Sequence, residues 1–253
     1  MNFYVSLRLS DLIDNTTRLE EYSLNAEVYI DAEVLDTYLL SAVEKIREEL
    51  KNYKIKVNVH GPYIDLNPGY QDNYLREAVV RRMCSAIEYA QALGAGVIIF
   101  HSPFKTLKFE EIFLENTIKT YEKVLKFGIE HGLKIAIENI YDNAPGMLRR
   151  FFDYFSSDYL VHCFDIGHFN IFVKEYGVEE WIESFHDVFA LTHIHNNDGK
   201  EDQHLSLGNG IIDIESYLNL LKKKNLLVPI TIENRNERDV IESIKWLKEK
   251  KYL

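Results

Sequence analysis

Residues 190–214 read ALTHIHNNDGKEDQHLSLGNGIIDI. Within them, residues 191–195 alternate in character as a strand does and stop at His195. A polar loop containing glycine follows, and Ile214 opens a helical pattern that extends to Asn225. The stretch thus spells one strand–loop–helix unit whose loop end carries His195, Asp202 and His204. Imidazole and carboxylate are the side chains that hold Zn, Mn or Fe when no thiolate is at hand. Taken alone, the segment is equally a solvated polar loop and half of a metal site.

The same unit recurs on both sides. Strand patterns occupy residues 2–7, 26–30, 55–60, 96–101, 134–139, 160–165, 189–195 and 229–233. Helical spacing predicts helices over 16–22, 35–50, 72–93, 110–131, 147–155, 178–188, 214–225 and 237–250. Asp72 is placed to cap the third helix, and Gly94 and Gly132 close the third and fourth. Several strands are nearly continuously apolar, the pattern of parallel strands buried on both faces. Eight such units in 253 residues match the number and length of a (β/α)8 TIM barrel in the α/β class, with residues 1–253 as one domain. A doubly wound open sheet is the alternative, but no G-x-G-x-x-G follows the first strand.

Strand ends carry the chemistry. The third strand ends in His60, the fourth in His101 and the fifth in Glu138. The sixth ends in Asp165 with His168 three residues on, the seventh in His195, the eighth in Glu233. In a barrel these ends converge on one face. Stepping back by two gives the next inward layer, Asn58, Ile99, Ala136, Cys163, His193 and Thr231. The residues between, Val59, Phe100, Ile137, Phe164, Ile194 and Ile232, are apolar and suit a helix-facing surface. Gathering four carboxylates in one mouth is costly without cations, which points to metal. The other histidines are expected at the periphery: His131 in a turn at the opposite face, His162 outside its strand, His186 on a helix. His193 either orients a ligand or fills the barrel.

Composition narrows the classes. The net charge of -11 argues against broad, non-specific nucleic-acid binding. No apolar run reaches the roughly 18 residues of a membrane span. Cys84 and Cys163 lie in apolar surroundings, as buried thiols of a reducing compartment do, and the start lacks the pattern of a secretory signal. The expectation is a cytoplasmic protein.

The motifs HGPY (60–63), FH (100–101), IEN (137–139), FDIGH (164–168), HNND (195–198), DQH (202–204) and IEN (232–234) carry a further signal. In order and spacing they resemble the xylose-isomerase-like TIM barrels, a superfamily of sugar isomerases and epimerases that also includes endonuclease IV. By resemblance to endonuclease IV, His60, His101 and Glu138 would hold one zinc. Glu138, Asp165, His195 and Glu233 would hold a second, and His168, Asp202 and His204 a third. The epimerase branch needs only the Glu138, Asp165, His195 and Glu233 set, with one divalent ion, often Mn or Co. The expected cofactor is thus a divalent metal, zinc first, at one to three ions per chain. Glu138 and Glu233 are the expected catalytic pair, and Tyr63, His168 and Arg235 the expected substrate contacts.

Two activities fit these residues. In a sugar or sugar-phosphate isomerase or epimerase, Glu138 and Glu233 would move a proton between adjacent carbons through an enediol. In an abasic-site phosphodiesterase, clustered zinc would activate water. The nine candidate ligands favour the second, as does Tyr63-Ile64, where endonuclease IV has an aromatic–aliphatic pair that enters the DNA stack. The loops favour the first. A DNA-cutting mouth needs Arg and Lys for phosphates. The loop after His60 has none before Arg76, and the loop after His195 sets Lys200 against Asp198, Glu201 and Asp202. The loop SPFKTLKF after His101 has Lys105 and Lys108 but lacks the His-Pro-Gly start of endonuclease IV. A small carbohydrate is therefore the expected partner, with nucleic acid the partner only under the phosphodiesterase alternative. Metal binding without catalysis would leave an open mouth unexplained.

Overall fold

The computed structural model of the protein describes residues 1–104 and 110–253. The apolar runs form β1 (Asn2–Arg8), β2 (Asn25–Tyr29), β3 (Val57–His60), β4 (Val97–His101), β5 (Lys134–Glu138), β6 (Leu160–Asp165), β7 (Phe189–Ile194) and β8 (Pro229–Ile232). Each strand pairs in parallel with its successor, and β8 pairs with β1. The sheet is a closed barrel in sequence order. Closure satisfies both edges of every strand, so no edge needs polar protection. Helices fill the connections: α1 (Leu12–Glu21), α2 (Ala32–Thr37), α3 (Leu40–Leu50), α4 (Asn73–Leu93), α5 (Glu110–Glu130), α6 (Gly146–Phe155), α7 (Ile166–Phe172), α8 (Val178–Ser184), α9 (Ile214–Lys223) and α10 (Glu237–Glu249). The fold is a (β/α)8 barrel. Among the described residues no helix is long and apolar enough to cross a membrane.

The period-2 alternation of the strands divides two cores. Ile99, Ala136, Val161, Cys163 and Leu191 pack together inside the barrel. Val59, Phe100, Ile137, Phe164, Ile194 and Ile232 point the other way and join the larger core between strands and helices. Each aliphatic or aromatic side chain so buried contributes about 1.5–3 kcal/mol, and the outer layer holds most of them. Four polar residues break the inner layer: Glu27, Asn58, His193 and Thr231 are all buried.

Local chemistry sets the helix ends. Asp72 caps α4 by accepting from the amides of Tyr74 (2.7 Å) and Leu75 (3.2 Å), and Gly94 closes it at φ 78°. The helix expected over 35–50 is two helices instead. Asp31 accepts from the Val34 amide at 2.8 Å and starts α2 early. Tyr38 and Leu39 are then extended, with the Tyr38 carbonyl accepting from the Tyr89 hydroxyl on α4. A tertiary bond thus ends a helix that periodicity alone would continue. Similarly, α8 stops at Ser184, short of the expected 188. Helix α7 carries too short and too mixed a pattern to be expected; its first turn hangs on Asp165, which accepts from the His168 amide at 2.7 Å.

Candidate metal centre

The strand ends place His60, His101, Glu138 and Asp165 on one face of the barrel. His195 and Glu233 follow β7 and β8 by one residue. His168 comes from α7, and Asp202 and His204 from the loop between β7 and α9. Parallel register sets His101 directly beside Glu138 on the neighbouring strand. Asp165 and His195 are fully buried, and Glu138 is 1% exposed. The side chain of Asn139 secures the Asp165 backbone: it accepts from the Asp165 amide and donates to the Asp165 carbonyl, both at 2.9 Å.

All nine expected ligands fall in three of the four close-set groups of possible donors among the described residues; the remaining group sets Cys163 beside Glu138 and His193. His60, His101 and Glu138 form one; His168, His195, Asp202 and His204 form another. The third combines Glu138, Asp165 and Glu233 with His193. His195 groups with His168, Asp202 and His204 and also stands beside Asp165, with Nε2 3.3 Å from Asp165 Oδ1 and 3.8 Å from Asp202 Oδ1.

The spacing fits cations. An ion about 2.1 Å from each donor separates tetrahedral donors by about 3.4 Å. His60 Nε2 lies 3.2 Å from Glu138 Oε2 and 3.2 Å from His101 Nε2. His168 Nε2 lies 3.6 Å from Asp202 Oδ1. Two imidazole nitrogens facing each other, as in His60 and His101, are natural around a shared ion. Asp165 Oδ2 and both ring nitrogens of His195 are buried with no hydrogen bond among the described residues. Such orphaned donors are rare unless an ion or water takes them. Imidazole and carboxylate without thiolate suit zinc, manganese or cobalt.

Electrostatics point the same way. Burial would raise the Glu138 carboxyl, but the field of His193 and the close imidazoles of His168 and His60 hold it well below its ordinary range. Burial likewise opposes charge on His168, yet Asp165, Asp202 and Glu138 raise its imidazole well above the ordinary value. Asp202 is lowered against burial by hydrogen bonds from His168 and His204. His168 thus holds positive charge beside these carboxylates, whereas burial lowers the His101 imidazole to about 3; an ion bound at the cluster would displace protons from the imidazoles that ligate it.

Above the cluster opens a cavity of about 1260 Å³. Tyr63 and Arg235 both line it. The Tyr63 ring stacks on His101 at 4.1 Å, and Arg235 donates to Asp202 Oδ2 at 2.9 Å. Ile64 beside Tyr63 is 65% exposed. Arg18 reaches the rim from α1 but pairs with Glu237 of α10. Arg76 donates to the carbonyls of Tyr70 and Gln71. Asp11, Asp14, Asp31 and Asp65 add negative charge to the lining. Lys105 and Lys108 lie outside the described residues.

Three side chains at or under the site escape a reading confined to strand ends. Glu27, in the middle of β2, is fully buried and faces His193. Its inward parity with Tyr29 was the available signal. His193 proves to lie between Glu27 and the ligands. Asp142, in the loop after β5, is pushed up to about 7 by burial while accepting from Ser102 and the Ile140 amide. The peripheral histidines are as expected: His131 stacks on Phe127, and His186 is exposed. His162 is buried outside the barrel, between the Ile137 carbonyl (2.8 Å) and the Trp181 indole (3.3 Å).

The sequence profile of the xylose isomerase-like TIM barrel family matches residues 25–250. The chain belongs to that family. The uncharacterized protein MJ1311 of Methanocaldococcus jannaschii is 29% identical over 216 residues, covering 82% of this chain and 74% of its own. A probable endonuclease 4 of Aquifex aeolicus is 26% identical over 213 residues, covering 76% and 75%. The crystal structure of a D-tagatose 3-epimerase-like protein superposes with a TM-score of 0.83 at 26% identity, covering 98% of this chain and 96% of that one. Both branches of the xylose isomerase-like barrels, epimerase and endonuclease, therefore lie within reach of this sequence.

Proposed function

We propose that the protein is a divalent-metal-dependent isomerase or epimerase of a sugar or sugar phosphate. The carrying observation is the position of Glu138 and Glu233 on the donor cluster of a mouth whose lining includes Asp11, Asp14, Asp31 and Asp65. A bound divalent ion would polarise a carbonyl and its neighbouring hydroxyl. Glu138 and Glu233, each with an oxygen near His193, bring two carboxylates to one small volume. One, as carboxylate, would take the proton from the carbon next to the carbonyl to give an enediol; the other, as carboxylic acid, would deliver its own proton to the adjacent carbon or the opposite face, and exchange with solvent would restore both. His168 presents Nε2 beside Asp202, within reach of a substrate oxygen. Tyr63 offers a ring edge and hydroxyl at the rim, where it limits access of water. Arg235, 60% exposed, keeps N–H groups for a terminal phosphate while one is held by Asp202.

The phosphodiesterase alternative is favoured by the three donor groups and by the exposed Tyr63-Ile64 pair. Charge weighs against it. A duplex approaching this rim would meet Asp11, Asp14, Asp31 and Asp65, with Arg18 already engaged by Glu237. The test incubates the ion-loaded protein with ketoses and their phosphates in deuterated water, and separately with an abasic-site duplex. Metal-dependent deuterium incorporation at carbon in one sugar is expected. Efficient strand cleavage with no exchange on any sugar would overturn the proposal.

A further inference from the structure

We infer that Thr231, Glu27 and His193 form a positioning chain beneath the metal cluster, which fixes the orientation of Glu138 and Glu233; this rests on the metal-dependent reading above. The three residues come from β8, β2 and β7, and all are fully buried. The Thr231 hydroxyl donates to Glu27 Oε2 at 2.7 Å. Glu27 Oε1 lies 3.0 Å from His193 Nε2. That places the other ring nitrogen, Nδ1, 3.4 Å from Glu138 Oε2, 3.5 Å from Glu233 Oε1 and 3.9 Å from Asp165 Oδ2. The approach below is the shortest of the four and is a close charge contact without hydrogen-bond alignment. His193 therefore sits between the Glu27 carboxylate beneath and three carboxylates of the donor cluster above.

A purely structural role accounts poorly for Glu27. In register Glu27 stands between Ser6 of β1 and Asn58 of β3, and its carboxylate meets Thr231 and His193 inside the barrel. Replacing a buried ion pair by apolar groups of similar volume is commonly neutral or stabilising, so packing alone does not call for a carboxylate here. A carboxylate behind an imidazole, in contrast, is the usual way to fix a ring's tautomer and direction at a metal site. Thr231 and His193 are partners on neighbouring strands, so the chain is built on paired backbone rather than on loops. Glu27, His193 and Thr231 are positioning residues: they act through Glu138 and Glu233.

The test uses full-length protein and Co²⁺ as the only added ligand. Binding isotherms, the visible absorption of the bound cobalt and the melting temperature of ion-free protein are measured for wild type, Glu27→Gln, His193→Gln, Thr231→Val and Thr231→Ser. Glu27→Gln and His193→Gln are expected to weaken Co²⁺ binding about 10–100-fold, the usual effect of losing an outer partner. Their absorption bands should shift at unchanged stoichiometry, whatever the change in ion-free melting temperature, since removing one partner of a buried pair itself costs stability. Thr231→Val should weaken binding too, and Thr231→Ser, which keeps the hydroxyl, should restore it. Wild-type affinity and spectrum in both Glu27→Gln and His193→Gln would overturn the inference alone. Loss of one ion per chain in His193→Gln would make it a ligand, which also overturns the positioning role. A wild-type protein that binds no Co²⁺ would overturn the inference together with the metal-dependent reading.

Discussion

At the scale of single residues, the site rests on groups whose shape can be kept while their chemistry is removed. Glu138→Gln and Glu233→Gln should each lower carbon–hydrogen exchange by at least about 10²-fold, the usual worth of a positioned acid or base. Circular dichroism should show both folded, and exchange at the wild-type rate in either would remove that residue from proton transfer. Asp142 supports a second prediction with a definite sign. Burial raises its carboxyl to about 7, above its ordinary 3.8, so between those values the folded state binds the more protons. Stability of the ion-free protein should therefore fall as pH rises from about 4 to about 7, by up to a few kcal/mol. Asp142→Asn should flatten that slope and melt higher at pH 8; an unchanged slope would place the titration elsewhere. The ligands were legible because strand ends in a barrel converge and alternation tells inward from outward. Glu27 was not, because it lies mid-strand in a short run, NAEVY, with no partner nearby in sequence. Only closure of the barrel brings it to His193.

At the scale of elements, the turn from β6 into α7 does two jobs with one residue. Asp165 ends the strand, faces His195 and caps the helix that carries His168. The helix can start there because Gly167 leaves room for a ring. A Cβ at that position would stand 2.0 Å from His195 Cε1 and 2.2 Å from Nε2. Gly167→Ala should thus push the imidazole away, weaken divalent-ion binding and lower the melting temperature. Gly146→Ala, at the start of α6 with open space at its Cβ, should be neutral or stabilise by about 0.5–1 kcal/mol. Equal behaviour of the two variants in ion titration and thermal melts would refute the packing argument. Strands and long helices were readable from periodicity and caps. The break at Tyr38 and the seven residues of α7 were not, because each depends on a bond to a distant or adjoining element.

At the scale of the molecule, the apolar plug and the outer core hold the barrel, while the open face gathers carboxylates and imidazoles. Stability and chemistry therefore meet only at that face, and an ion bound there should act on both. An ion at about 100 times its dissociation constant adds about 2.7 kcal/mol to a protein that binds it only when folded. Chelator-treated protein should accordingly melt several degrees below protein supplied with Zn²⁺, Mn²⁺ or Co²⁺. Identical melting curves would count against any ion in the cluster. Register and the closure of β8 on β1 were implicit in the eightfold repeat; the acidic rim was only partly so. Asp11, Asp14 and Asp31 reach it from connections after β1 and β2, whose helices gave the weaker patterns.

The buried contact between His162 and Trp181 makes the protein report on itself by light. The indole is wholly enclosed, so its emission should be blue-shifted, while Trp246 is partly exposed. The indole N–H donates to an imidazole that burial keeps neutral down to about pH 4. Once protonated, that ring can no longer accept and becomes a quencher. Emission on the blue side should therefore dim as acid loosens α8 from β6, whatever happens at the mouth on the barrel's inner side.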